Sequence, residues 1–269
     1  MHKISVVNSN KMNKPFDFIT SSFAANLSDT YNISIRQLPD GYYFYVTNSE
    51  KKCVAIKHIV ANHITPALLT NEPLLQLNYR SVSYIGYGAF SIVPKALIIN
   101  DNFNAFLPIE SNLRQRAKTI VNPINQDAII VCYSNQWTIP NLTTIHKHHE
   151  IELLTQLAQQ TPNADSVWAD IALNHINIVV IKNNHLLLAN TYPISCDNDA
   201  AYYILACYQQ LNLSQENTEL NIMGNLLNIN PTPFLTDYIR HINTPKPHNW
   251  NDELPNQYAP LFTLQTNQI

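Results

Sequence analysis

The stretch Val167-Trp168-Ala169-Asp170-Ile171-Ala172-Leu173-Asn174-His175-Ile176-Asn177-Ile178-Val179-Val180 decides the fold. Val167, Ala169, Ile171 and Leu173 alternate with Trp168, Asp170 and Ala172, the period of two that marks a strand. Asn174-His175 is a short polar break, and Ile176, Ile178 and Val180 resume the alternation. Lys182-Asn183-Asn184 reads as a second turn, because asparagine tolerates positive φ and bonds its own backbone. Leu186 to Ala189 is a third apolar run, ended by Pro193. Two tight turns in succession predict an antiparallel meander.

A helix is expected next. Ser195, Asp197 and Asp199 offer capping oxygens and negative charge at its start, and Ala201, Ile204, Leu205, Tyr208 and Leu211 form a stripe at helical spacing. Leu220, Ile222 and Met223 predict a fourth strand closed by Gly224. Pro231 to Ile242 reads as a further helix, with Thr232 as cap and Pro233 in its first turn.

The same order occurs earlier, from Tyr31 to Tyr87. Ile33 and Ile35 alternate with Ser34 and Arg36; Pro39-Asp40-Gly41 is a strong turn signal; Tyr42 to Val46 and Cys53 to Ile59 complete a second meander. A helix from Thr65-Pro66 through Leu69, interrupted near Pro73, leads to a strand over Val82–Tyr87 with Gly86 and Gly88 at its end. Between the copies, Ser91 to Ile99 and Asp101 to Phe106 hold a further strand or short helix, Asn112 to Lys118 a weak helix, Ala128 to Tyr133 a buried strand and Thr143 to Gln160 a helix. Residues 1–30 read as loosely ordered with one or two aromatics docked, and 244–269 as a surface tail with Leu261 to Leu264 docking.

The 269 residues suffice for two small domains with a sizeable core. Charged residues are only 13 %, and Asn and Gln carry the polar work, which fits codon usage better than a functional need. A net charge of −3 with scattered Lys and Arg argues against nucleic acid as a partner. Cys53, Cys132, Cys196 and Cys207 form no close pairs, which predicts buried free thiols in a reducing compartment. No apolar run is long enough for a membrane span and no signal peptide is read at the start, so a cytoplasmic location is expected.

Two consecutive units of three meandering strands, a helix and a strand resemble the actin-like fold, built on duplicated ribonuclease-H-like domains. Leu38-Pro39-Asp40-Gly41-Tyr42-Tyr43-Phe44, Leu186-Leu187-Leu188-Ala189-Asn190-Thr191-Tyr192, and Asp199-Ala200-Ala201-Tyr202-Tyr203-Ile204-Leu205 with Gln210-Leu211 are similar to a bacterial family, the domain-of-unknown-function 3822 family. The resemblance runs from about Tyr31 to about Ile242. It implies an α/β fold of two mixed-sheet domains, at 31–161 and 162–243, and carries no catalytic residues with it.

Active members of the actin-like superfamily hold ATP with glycine-rich turns, because backbone N–H groups must approach phosphate oxygens closely, and an acidic residue near each turn holds magnesium or positions water. This chain has four glycines: Gly41, Gly86, Gly88 and Gly224. Asp170-Ile171-Ala172 stands where those ATPases have Asp-x-Gly; the first copy reads Ser34-Ile35-Arg36, with no carboxylate until Asp40. The adenosine-contacting turn is reduced to Gly224-Asn225. If a nucleotide with magnesium bound, Asp40, Gly41, Asp170, Asn174 and Gly224 are the residues expected to meet it.

Other constellations have plainer explanations. His146, His148, His149 and Glu150 could ligate zinc from a helix but read better as polar residues at a helix start. His58, His63 and His175 sit at strand ends and turns, Cys207 lies on an apolar helix face, and Ser91 and Ser195 lack a nucleophile-elbow setting. Tyr42 to Tyr45 could stack bases but reads as strand core. The expectation is therefore a cytoplasmic pseudoenzyme that contacts another protein, with no catalytic residue, metal or cofactor; the alternative is a divergent nucleotide-binding ATPase or kinase.

Overall fold

The computed structural model describes residues 15–61, 66–99, 102–107, 119–133, 145–160 and 165–268. In chain order the elements are β1 (Phe16–Ile19), β2 (Asn32–Leu38), β3 (Gly41–Thr47), β4 (Cys53–Val60), β5 (Ser81–Gly86), β6 (Phe90–Pro94), β7 (Thr119–Pro123), β8 (Ala128–Tyr133), β9 (His146–His149), α1 (Glu150–Gln159), β10 (Ser166–Ile171), β11 (His175–Lys182), β12 (His185–Pro193), α2 (Asp197–Gln210), β13 (Glu219–Gly224), α3 (Thr232–Leu235), β14 (Ile242–Asn243) and α4 (Ala259–Phe262).

Two large sheets repeat one plan. Their strand orders are β1-β4-β3-β2-β5-β9 and β12-β11-β10-β13-β14. In each, a three-strand antiparallel meander carries two parallel strands beside its first strand. The meander turns follow from local chemistry. Pro39-Asp40 joins Leu38 to Gly41, and Asn183-Asn184, both at positive φ, join Lys182 to His185. A third, smaller sheet, β6-β8-β7, is inserted between β5 and β9.

Period-two patterning assigns each strand's faces. On β3, Tyr42, Phe44 and Val46 share a core with Ile33, Ile35 and Tyr84. Tyr43 and Tyr45 point the other way, onto Leu254, Leu261 and Phe262. The strand is apolar throughout because both of its faces are covered. In the second sheet, Val167, Ala169 and Ile171 pack under Ala200, Ala201, Ile204, Cys207 and Tyr208 of α2. Leu205 and Leu211, expected in the buried stripe, are only partly buried. Helix α1 lies between the two sheets: Leu153, Leu154 and Ala158 share a cluster with Ile85 of one and Trp168, Val179 and Met223 of the other.

Several sequence expectations are corrected. Phe16–Ile19, expected within a loosely ordered segment, pairs with β4; residues 1–14 lie outside the described residues. At the C-terminal end Leu261 to Leu264 dock as expected, all buried; the correction falls within Thr244–Pro255, where Asn251 and Leu254 are buried too. The first-copy helix is replaced by two 3-10 turns, Pro66–Leu69 and Pro73–Gln76, as proline spacing interrupts regular bonding. The helix expected over Thr143–Gln160 starts only at Glu150, because His146–His149 pairs in parallel with β5. The helix expected over Pro231–Ile242 stops after one turn, and Ile242-Asn243 joins β13. Asn112–Lys118, Thr143 and His63 lie outside the described residues. Cys53, Cys132 and Cys207 are buried, and burial pushes the first two thiols up to about 12 and Cys207 to about 11. Cys196, expected to be buried, is exposed.

Candidate functional site

The first strands of the two meanders meet at equivalent positions. Leu38 pairs with Gly41 across the first turn, and Ala172 donates its N–H to the His175 carbonyl across the second. Two residues before each turn partner stand Arg36 and Asp170. On β2, Ile33 and Ile35 face the first core, so Arg36 faces the other way. On β10, Ala169 and Ile171 face α2, so Asp170 points to the opposite side. The side chains meet there, both essentially without solvent contact.

The contact is a two-pronged ion pair. Arg36 Nη1 donates to Asp170 Oδ1 at 3.2 Å, and Arg36 Nη2 donates to Asp170 Oδ2. The same Nη2 donates to Glu150 Oε2 at 3.0 Å. Glu150 is the first residue of α1, where the helix dipole favours a carboxylate. Its other oxygen, Oε1, lies 2.7 Å from His175 Nε2, and His175 Nδ1 lies 2.9 Å from the Asn174 side-chain oxygen. Tyr87 stacks on the His175 ring at 5.3 Å. On the far side, Asn177 Nδ2 donates to Asp170 Oδ2 at 3.3 Å, and Thr191 Oγ1 donates to Asn177 Oδ1 at 2.6 Å.

Electrostatics keeps Arg36 and Glu150 charged. Burial works against the Arg36 cation, but Asp170 and Glu150 outweigh it and raise its pKa further. Burial works against the Glu150 anion too; His175 and then Arg36 outweigh it and hold its carboxyl well below the usual range. His149 behaves differently. It is fully buried, and burial lowers its pKa. Its Nδ1 accepts from Ile151 N at 3.1 Å to cap α1, which leaves Nε2 to donate to the Gly88 carbonyl at 3.1 Å. The bond at Nδ1 requires the neutral ring.

The five residues expected to meet a nucleotide have separate fates. Asp170 is in the cluster, and Asn174 touches its rim through His175. Asp40 accepts from Tyr43 Oη at 2.6 Å inside the first hairpin. A Cβ on Gly41 would stand 1.9 Å from the Ile59 carbonyl oxygen, and one on Gly224, at φ +95°, 2.2 Å from the Ile171 oxygen. Both glycines are thus accounted for by close strand packing. The residues do not fit a magnesium–nucleotide as they stand, because a guanidinium already occupies both oxygens of the one acidic residue in the right register. Arg36, Glu150, His175, Asn177 and Thr191 were not singled out together from sequence. The only signal was Arg36 standing where the other copy has an acid. The four residues weighed for zinc diverge: His148 pairs with Glu152 at 2.8 Å, His149 caps α1, and Glu150 joins Arg36. Among the described residues no group of three or more His, Cys, Asp or Glu is placed to hold a metal.

The family described as "protein of unknown function (DUF3822)" matches residues 20–242. The chain belongs to this family. The DUF3822 chain is similar to a Bacteroides thetaiotaomicron protein of actin-like ATPase fold and unknown function, with 18 % identity, a TM-score of 0.69, and 91 % of this chain and 98 % of that one covered. It is also similar to a structure of the PilM–PilN type IV pilus biogenesis complex, with 11 % identity, a TM-score of 0.52, and 87 % and 96 % covered. These likenesses establish the actin-like ATPase fold with two mixed-sheet domains. No curated protein matches the chain. Among the described residues of this DUF3822 protein, no helix is long and apolar enough to cross a membrane.

Proposed function

We propose that the chain is a non-catalytic actin-like protein that works as an interaction or scaffold module for another protein. One observation carries the reading: Arg36, buried between the domains, is paired to Asp170 and Glu150. In nucleotide-hydrolysing members of the superfamily the equivalent ground is where acidic residues serve magnesium. Phosphoryl transfer depends almost wholly on electrostatic positioning of phosphates. Reversing the charge of one copy's residue replaces a cation-attracting pair with a self-neutralising one. A cation entering beside Asp170 must displace or repel the guanidinium, and a buried charge left unpaired costs several kcal/mol.

A fold kept without its phosphate chemistry still offers shaped surfaces, and the ion cluster ties the two domains in one orientation. The rival reading, a divergent nucleotide-binding ATPase or kinase, is favoured by the Asp170 carboxylate in register. Thermal unfolding separates the two. At about 100 times Kd, a bound ligand adds about 2.7 kcal/mol, or several degrees at roughly 2–4 °C per kcal/mol for a protein of this size. The melting temperature is expected to stay flat with Mg-ATP, Mg-ADP and Mg-GTP; a clear rise with any of them favours the rival.

A further inference from the structure

We propose that the groove between β6 and β12 takes an extended, uncharged segment of a partner protein as an added strand. The inference rests on the scaffold reading above and names the class of partner. The groove has a volume of about 490 Å³ and is lined by Gly88–Ile92 on one side and Ala189–Thr191 on the other. Those two sides are the ends of two sheets. Among the described residues, β6 pairs with β8 alone and β12 with β11 alone, so each has an edge that meets no described strand, although Thr191 N–H there donates to the Asn190 side-chain oxygen at 2.9 Å.

Unpaired edges are hazardous, and proteins blunt them with short strands, charges or proline. The other ends of the two large sheets obey this. β1 has four residues and carries Asp17, β9 has four and carries Lys147, and β14 has two. β12 is guarded only at its end, by Pro193. It is nine residues long, contains no Asp, Glu, Lys or Arg, and exposes Leu187 at 45 %. β6 is also uncharged, though it is five residues long and ends in Pro94. An edge left this inviting fits one that is covered in use.

The chemistry of the groove specifies what covers it. Edge backbone calls for backbone, the recognition mode in which main-chain bonds give affinity and alternate side chains give specificity. Phe90, Ile92 and Ala189 pack over Ile124, Ile130 and Ile151, which makes an apolar floor, while Ser91, Asn190 and Thr191 make a polar, uncharged rim. A strand alternating apolar and polar residues suits that floor and rim. The groove is also preformed. β6 comes from the first domain's insertion and β12 from the second domain. Thr191 is hydrogen-bonded through Asn177 to Asp170, and Gly88 accepts from His149 beside Glu150. The ion cluster therefore fixes the spacing of the two walls, which lowers the ordering cost of binding.

The test selects ten-residue peptides from a random displayed library on the full-length protein, then measures amide exchange with the synthesised winner bound. Peptides alternating apolar and polar residues are expected, slowing exchange at least about tenfold in both 88–92 and 189–191. Asn190→Lys, at an exposed rim position, is expected to weaken binding at least tenfold with only a small change in melting temperature, since the Asn190–Thr191 bond it removes is solvent-exposed. Protection elsewhere, indifference to Asn190→Lys, or no peptide above background overturns the proposal. So does protection of the same amides by rising protein concentration alone, which would assign the groove to a second copy. With a flat nucleotide titration, any of these removes the groove inference and leaves the scaffold reading standing; a nucleotide-induced rise removes the reading itself.

Discussion

Arg36 is a buried cation whose partners sit 114 and 134 residues away along the chain. Replacing it with methionine keeps the volume, leaves the buried Asp170 carboxylate without its counter-ion and leaves Glu150 with His175 alone. Arg36→Met is therefore expected to cost about 3–5 kcal/mol in urea unfolding. Adding Asp170→Leu is expected to recover a substantial part, since an apolar pair of similar size can replace an ion pair; a single-variant loss below about 1 kcal/mol, the level of a solvent-exposed pair, would refute the placement. Acid is the second probe. His149 has a pKa lowered from 6.5, so the unfolded chain takes up the proton first, and stability falls as pH drops below about 6.5. Glu150 has a pKa lowered from 4.5; its contribution is full above that value and is lost as pH falls through the lower folded value. The melting temperature should thus decline in two stages, and His149→Asn, which can still cap α1, should abolish the first stage. At this scale Asp170 was legible in sequence because its strand context was clear. Arg36 was visible only as a missing carboxylate, since alternation says which face a residue takes and nothing about what waits there.

Among the elements, the hairpins were the most legible, because Pro39-Asp40-Gly41 and Asn183-Asn184 carry their own turn chemistry. The glycines that survive are bound to those strands. Gly224→Ala places a Cβ against the Ile171 backbone at a φ of +95°, where neither partner can give way. A loss of about 2–4 kcal/mol is expected, read from the denaturation midpoint; a change within about 0.5 kcal/mol would contradict the strand packing. Less legible were elements whose form depends on a distant neighbour. His146–His149 has no strand-like composition and is extended because β5 offers it a parallel edge. Ile242-Asn243 ends a helical pattern for the same reason, with β13 as the partner. Helix α1 starts at Glu150 because His149 and Glu152 form a capping box, a signal hidden by the histidine in a position usually read for Ser, Thr or Asp.

The molecule as a whole is closed by its C-terminal stretch. Phe262 is fully buried and packs with Tyr43, Tyr45 and Trp250, and Gln265 donates to the Ser34 carbonyl at 2.9 Å. Phe262→Ala is expected to cost about 3–5 kcal/mol in urea unfolding, the figure for emptying an aromatic core site; near-neutrality would mean the stretch is not docked. The docking of Leu261 to Leu264 was legible as a short apolar run; that of Trp250 and Leu254 was not, because they stand singly among Pro, Asn and His and match no period. The duplicated plan was legible, as each copy carries its own alternation; how the copies meet was not, because the meeting is made by Arg36, Glu150 and Asp170 across the interface. That meeting is the centre of the account. Isothermal titration of the full-length protein with Mg-ATP and Mg-ADP tests it most directly. No saturable heat is predicted up to about 1 mM nucleotide, the concentration at which a 10 µM site would be about 100 times over its Kd. Saturable binding that is lost in Asp170→Asn would contradict it.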